Sequence, residues 1–130
     1  MAGAPAVFAS VAANIEKILA DLRATGYRGR IVVANYYALN YADASATALS
    51  ADLNAAITAS AASFGAIVAD VFTAFKNVAA EPAYSGNTCN TGLLNPDVYN
   101  QYVCNIHPAQ TGHRLIAKTI LEALRTAEFH

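Results

Sequence analysis

The short run Ile31-Val32-Val33-Ala34 decides the fold class of this chain. A β-branched run without polar alternation is typical of a strand that is buried on both faces, as the strands of parallel sheets are. A second run, Ile67-Val68-Ala69, continues into Asp70-Val71-Phe72 and predicts a second buried strand. Residues 50–64 between the two runs have helical periodicity, so the three segments predict a right-handed βαβ unit.

Helices are also predicted before and after this unit in the sequence. Apolar residues three or four positions apart indicate a first helix that ends before Gly26, and a last helix covers residues 111–127. The middle helix is expected to begin with Ser50 as its N-cap and to end at Gly65. We therefore predict one α/β domain over residues 1–130, with a three-layer, flavodoxin-like parallel sheet flanked by helices. The apolar stripe of the first helix consists of Phe8, Val11, Ile15, Ile18 and Leu22.

The predicted sheet is short of strands. Two parallel strands with three helices leave both edges of the sheet uncovered, and an uncovered edge pairs readily with another strand. We therefore expect either a homo-oligomer or a missing N-terminal half of the domain.

The composition excludes several classes of protein. Charged residues make up 13% of the chain, against about 25% in ordinary soluble domains. A net charge of -1 gives no basic surface, which argues against nucleic acid as a partner. The apolar runs are too short for a transmembrane segment, and a chain with 55% hydrophobic residues is too apolar to be disordered.

The two cysteines lie in a segment that is predicted to be a long loop. Residues 82–108 hold three of the four prolines and both cysteines, Cys89 and Cys104. A disulfide between them would close a loop of about 15 residues and stabilise the fold by about 3 kcal/mol, whereas the alternative is two reduced thiols. A disulfide would imply a secreted or periplasmic protein. Since Met1–Ala4 has no signal-peptide pattern, we expect that an export signal was removed or that the chain starts inside a longer gene product.

Chemistry is concentrated just before the last helix. His107-Pro108 is followed by Thr111-Gly112-His113 and then by Leu115-Ile116-Ala117. This segment resembles the last motif block of the SGNH (GDSL-type) ester hydrolases, and the order of helices and strands from about residue 7 is similar to the second half of that fold. The resemblance implies the C-terminal half of an SGNH hydrolase, a carboxylic-ester hydrolase (esterase or lipase) that acts on a small acyl ester or lipid without a cofactor. It also implies that His107 is the general acid and base.

The residues alone are consistent with that role. A histidine in a loop, fixed by the following proline, is exposed and oriented, and its ordinary pKa near 6.5 suits proton transfer at neutral pH. The alternative is a loop histidine that only forms hydrogen bonds. His113 is expected to have a structural role at the helix start. The spacing of the two histidines fits no common zinc motif, so no metal is expected.

The chain departs from the family pattern at two places. The resemblance places a catalytic aspartate three residues before the histidine, where this chain has Cys104, so His107 would be oriented by Asn105, by Asp97 or by a backbone carbonyl. The Gly-Asp-Ser block of the nucleophile is absent. We expect the serine to come from an upstream segment that is not in this chain, with Ser85 as the alternative within it. Both departures leave open a second function, that of a non-catalytic or degenerate SGNH-like domain for binding or assembly.

Polar and aromatic side chains follow the first predicted strand. Ligands of open α/β sheets bind at the carboxyl ends of the strands. The sequence therefore predicts a substrate-binding wall there, with tyrosines that only cap the sheet edge as the alternative. Asp70, near the end of the second strand, is expected to bond to a neighbouring loop. The residues of the predicted wall are Tyr36, Tyr37, Asn40 and Tyr41.

Overall fold

A computed structural model describes residues 3–99 and 104–128, which form a mixed α/β structure of four α-helices and four strands. A 3-10 turn at Thr88–Thr91 precedes the third strand. The elements are α1 (Ala4–Ala24), β1 (Val32–Ala34), α2 (Ala44–Ser63), β2 (Ile67–Ala69), α3 (Val71–Ala79), β3 (Leu94–Pro96), β4 (Cys104–Pro108) and α4 (Gln110–Glu128).

Each of the two sheets has two strands among the described residues. Strands β1 and β2 are parallel, with Val32 opposite Ile67 and Ala34 opposite Ala69, so the predicted parallel pair is confirmed. The predicted burial of the first strand on both faces is wrong, because Val32 and Val33 are only half-buried and Ala34 is exposed. Strands β3 and β4 are antiparallel and lie inside residues 82–108, where the sequence predicted a loop. The mixed α/β class is confirmed, and the three-layer arrangement stays a prediction.

The predicted start of the second helix is wrong. Helix α2 begins at Ala44 because the Asp43 carboxylate accepts a hydrogen bond of 3.0 Å from the backbone N–H of Ala46 and caps the helix there. Ser50 lies inside α2, where its hydroxyl donates to the carbonyl of Ala46.

The strand prediction for Asp70-Val71-Phe72 is also wrong. Asp70 caps helix α3 by accepting a hydrogen bond of 3.1 Å from the backbone N–H of Thr73. Val71, Phe75 and Ala79 follow at helical spacing and are all buried, so one face of this short helix enters the core. Burial of that face outweighs the local preference of Val71 and Phe72 for extended structure.

The core holds the start of α4 and the end of β1 together. Its central cluster contains side chains from β3, α3 and the segment after β1, and Leu115 and Ile116 of α4 pack against it. Helices α1 and α2 pack against each other, and Ser60 is buried between them beside Ala12. No helix within the described ranges has the length and apolar character needed to cross a membrane. The central cluster consists of Tyr37, Val71, Phe75, Leu93 and Leu94.

Candidate active site around His107

Strand β4 carries His107 and is attached to the core at its first residue. Cys104, which begins β4, forms a disulfide with Cys89 in the 3-10 turn, so the predicted pairing is confirmed. The same turn is held by Thr88, a fully buried residue whose hydroxyl donates a hydrogen bond of 2.7 Å to the carbonyl of Ala38. The disulfide and this bond together connect the His107 strand to the segment that follows β1.

Asn105 orients the imidazole of His107. Its side-chain Oδ1 contacts Nδ1 of the ring and also accepts a hydrogen bond of 3.0 Å from the backbone N–H of His107. Because a carboxamide oxygen can only accept, this contact requires a proton on Nδ1, and in the neutral ring Nε2 then has the lone pair. His107 is exposed, so this lone pair is accessible to a reacting group. The pair therefore has the tautomer that a general base needs.

Tyr37 connects the end of β1 to the His107 strand. Its ring is buried and stacks on Phe75, with 4.4 Å between ring centres, and its hydroxyl donates a hydrogen bond to the carbonyl of Ile106. Burial, together with the neighbouring Tyr36, raises the pKa of Tyr37 to about 12. The hydroxyl therefore stays protonated as a donor at physiological pH, and it fixes the backbone next to His107.

An apolar groove begins at Tyr36. This ring stacks on Tyr37 with 4.8 Å between centres and remains about half exposed, and it forms one wall of a cavity of about 480 Å³. Four of the large apolar side chains that remain exposed, Val7, Tyr36, Leu39 and Leu49, lie together in this groove. The complete lining is Ala4, Val7, Phe8, Tyr36, Tyr37, Leu39, Ala46, Leu49, Ser50 and Leu53.

Tyr41 and Asn40 do not line this groove. The Tyr41 hydroxyl accepts from the backbone N–H of Ala38 at 3.2 Å and donates to the carbonyl of Phe72 at 2.7 Å. Burial raises the pKa of Tyr41 to about 12. The side-chain oxygen of Asn40 accepts a hydrogen bond from the backbone N–H of Ala42, and the Asn40 backbone forms an isolated antiparallel β-bridge with Asn87. Both residues thus stabilise the turn after β1, and their predicted contact with substrate stays untested.

The structure also places the remaining predicted residues. Ser85 has a positive φ of 53°, and its hydroxyl donates to the carbonyl of Pro82, so its hydrogen bonds do not join it to His107. Asp97 accepts from the backbone N–H of Tyr99 at 2.7 Å. His113 is exposed in the first turn of α4. Within residues 3–99 and 104–128, no group of three or more histidine, cysteine, aspartate or glutamate residues is arranged to hold a metal ion.

Gly112 allows the start of α4 to pack closely against Leu93 and against Pro108 at the end of the His107 strand. A Cβ atom at this position would lie 2.2 Å from the backbone oxygen of Leu93, so only glycine allows this approach. The same oxygen accepts a hydrogen bond of 2.8 Å from the backbone N–H of Ala109, and the Thr111 hydroxyl bonds to the carbonyl of Gly92. The motif Thr111-Gly112-His113 gives no sign of this packing role, because Leu93 is distant in the sequence.

Asn35 is a further polar residue at the carboxyl end of β1 that belongs to none of the predicted motifs. Its side-chain amide donates a hydrogen bond of 2.9 Å to Asp70, and its oxygen accepts one of 2.9 Å from the backbone N–H of Phe72. Although burial raises the pKa of Asp70, hydrogen bonds from Asn35 and Thr73 outweigh burial and lower it. The expected bond of Asp70 to a neighbouring loop is therefore present. The available signal was that Asn35 and Asp70 each follow a predicted parallel strand directly.

No protein-family model and no curated protein matches the chain. A functional assignment therefore rests on the motif around His107 and on the geometry of that site.

Proposed function

We propose that this chain is the C-terminal α/β half of an SGNH-type carboxylic-ester hydrolase, with His107 as its general acid and base. The observation that carries the proposal is the Asn105–His107 pair, because it occurs in the segment that resembles the family's histidine block and leaves Nε2 as the basic nitrogen. The serine nucleophile is expected from an upstream segment that is not in this chain.

Nε2 of His107 has two tasks in the proposed reaction. It first takes the proton of the serine hydroxyl while the serine oxygen attacks the acyl carbonyl, and the imidazolium then gives that proton to the departing alkoxide. A water molecule is activated in the same way to release the acid and restore the serine. Asn105 fixes the ring in the required tautomer, but it carries no charge to stabilise the imidazolium. We therefore expect a slower reaction than a site with a carboxylate would give.

The apolar groove at Tyr36 is the proposed binding place for the acyl group. Its walls are almost entirely apolar, and binding grooves for small ligands are commonly apolar with few polar groups. Tyr37 lies in the wall of the groove and bonds to Ile106, the residue before His107. An acyl chain in the groove would therefore have its carbonyl end near β4.

Two further features belong to this proposal. The parallel pair β1–β2, with α1 and α2 packed together and α4 packed on both strands, is consistent with part of a three-layer, flavodoxin-like sheet. The Cys89–Cys104 disulfide is compatible with a secreted or periplasmic location.

The proposal is tested with a short-chain nitrophenyl ester and the purified chain. Because the serine is absent from this chain, we expect only slow hydrolysis, in which Nε2 of His107 takes a proton from a water molecule that attacks the ester directly. This rate should fall by at least about tenfold in His107→Ala, while His113→Ala, a matched change of an exposed histidine, retains it. Equal losses in the two variants would show that His107 is not the base. Addition of a polypeptide that carries the Gly-Asp-Ser block should raise the rate of the wild type but not that of His107→Ala.

A non-catalytic binding or assembly domain is the second candidate. Specific observations favour it: Cys104, at the position of the family's acid, is held in a disulfide, and the Ser85 hydroxyl bonds to Pro82. This function predicts that a fluorescent fatty acid binds in the Tyr36 groove, and that no ester is hydrolysed even with the added polypeptide. Leu49→Lys, on the groove wall, should then weaken that binding.

A further inference from the structure

The outer edge of β1 has backbone groups that are directed away from the sheet. Ile31, Val33 and Asn35 bond to β2, as shown by bonds of 2.8 Å from Ile67 N to Ile31 O and 3.1 Å from Asn35 N to Ala69 O. The N–H and C=O groups of Val32 and Ala34 therefore point to the other side, because successive residues of a strand alternate in direction. No hydrogen bond joins them to another group in the described part of the chain.

An apolar groove runs along this same edge. It has a volume of about 240 Å³ and lies between β1 and the helix α1. Ile18 and Leu22 of α1 line it and remain 59% and 41% exposed. Ile31, Val32 and Val33 form its other wall. The edge thus combines backbone groups that can pair with a strand and an apolar surface for the side chains of that strand.

The surroundings of β2 have a different character, since they include charged side chains from α4 and from the residue before α3. The cavity beside Ile67 and Val68 is lined by Asp70, Asn77 and Glu122. Charged side chains at an edge strand are a common protection against pairing with another chain. Such side chains line the groove at β2, whereas the lining of the groove at β1 is entirely apolar.

We propose that a second copy of this chain pairs with the outer edge of β1, antiparallel and about a two-fold axis at Val33. The groove requires an extended, uncharged strand with β-branched side chains, and β1 itself is such a strand. A two-fold axis lets the same surface serve both copies, and a net charge of -1 opposes association only weakly. An upstream half of the domain, which the proposed function expects, would compete for the same edge, so this pairing is inferred for the chain by itself.

The two-fold axis fixes the register of the pair. Val32 of each copy lies opposite Ala34 of the other, so their outward N–H and C=O groups form four hydrogen bonds and join the sheets into one of four strands. Val33 faces Val33 in the intervening pair, where Cα atoms are about 4.5 Å apart. Residue 30 of one copy is opposite residue 36 of the other, so the contact extends to the Tyr36 end of each candidate site.

A cysteine at the two-fold axis tests the register. A Cα separation of about 4.5 Å is suitable for a disulfide, and both native cysteines are already paired, so Val33→Cys adds a reactive thiol without a native competitor. We expect a covalent dimer on a non-reducing gel after mild oxidation. Leu121→Cys, an exposed apolar position on α4, is the control and should remain monomeric on the gel. A folded Val33→Cys variant that stays monomeric on the gel overturns the proposed register.

Sedimentation equilibrium tests the contact without a change in β1. We expect the wild-type chain to dimerise and Ile18→Lys to weaken the dimer by at least about tenfold, because it places a charge in the groove. Leu121→Lys, at an α4 position of similar exposure that does not line the groove between β1 and α1, should dimerise as the wild type does. A wild-type chain that is monomeric throughout, or two variants with equal effects, would refute a second copy as the occupant. A strand from another polypeptide would then be the occupant to seek.

Discussion

Substitution of Gly112 by alanine separates helix propensity from packing, because the two effects change the free energy of unfolding in opposite directions. Gly112 lies in the first turn of α4, where alanine would ordinarily stabilise a helix by about 1 kcal/mol. In this structure the added Cβ would be 2.2 Å from the backbone oxygen of Leu93, although real Cβ atoms stay about 3.0 Å or more from such atoms. Helix α4 and the Leu93 segment would have to separate.

The cost of that separation exceeds the gain in propensity. Forced overpacking in a well-packed core costs about 1–3 kcal/mol. The movement also weakens the bond from Ala109 N to Leu93 O and the bond from Thr111 to Gly92, each with a net contribution of about 1 kcal/mol. Strain and weakened bonds together amount to about 3 kcal/mol, so we expect Gly112→Ala to lower the free energy of unfolding by about 2 kcal/mol.

Urea unfolding followed by far-UV circular dichroism measures this difference. Ala117→Gly, an exposed site in the same helix, measures the propensity contribution alone and should be destabilising by about 1 kcal/mol. A Gly112→Ala variant that is more stable than the wild type would refute the close approach of α4 to Leu93, and with it the account of how α4 is seated beside β4.

Three further substitutions test the site and its supports. Asp70→Asn should lower stability at pH 7, and its difference from the wild type should shrink as pH falls below about 4, because the lowered pKa of Asp70 stabilises the fold only while the carboxylate is ionised. Tyr37→Phe should cost about 1 kcal/mol at pH 7 and reduce the loss of stability between about pH 10 and 12, where the tyrosine stays protonated in the fold but ionises in the unfolded chain. Thermal unfolding across pH checks both, and an unchanged pH profile in either variant would contradict the assigned contact. Asn105→Asp should raise the rate of nitrophenyl ester hydrolysis about tenfold, because a carboxylate would stabilise the imidazolium of His107, and a lower rate would contradict this role.

Local patterns in the sequence were sufficient for the parallel strands and for the longer helices. The β-branched run at Ile31 correctly indicated a strand of a parallel pair, but it overstated the burial, since Val32 and Val33 are half-buried and Ala34 is exposed. The same criterion failed at Val71, where the decisive signal was the capping carboxylate of Asp70 and not the β-branched side chain after it. At Asp43 the cap was again decisive, and the serine at position 50 was a weaker signal inside the helix.

The candidate site was predictable where its contacts are local. Asn105 and His107 are two residues apart, so the contact between them could be anticipated from the sequence. The bond from Tyr37 to Ile106 and the approach of Gly112 to Leu93 join segments far apart in the chain. Such contacts follow from the tertiary arrangement, which residue spacing alone does not determine. The role of Gly112 could be found only once Leu93 was placed beside it.

The parallel pairing of β1 with β2 has a consequence for how the chain folds. Val32 pairs with Ile67 across the whole of α2, whereas β3 and β4 are joined by a short connection. Pairing between distant segments requires a large loop to close before any bond forms, which makes it slow relative to helix and hairpin formation. During that interval both apolar strands are exposed on every molecule. Refolding from denaturant should therefore lose protein to aggregation in proportion to concentration, and the loss should occur before the β1–β2 pair has formed.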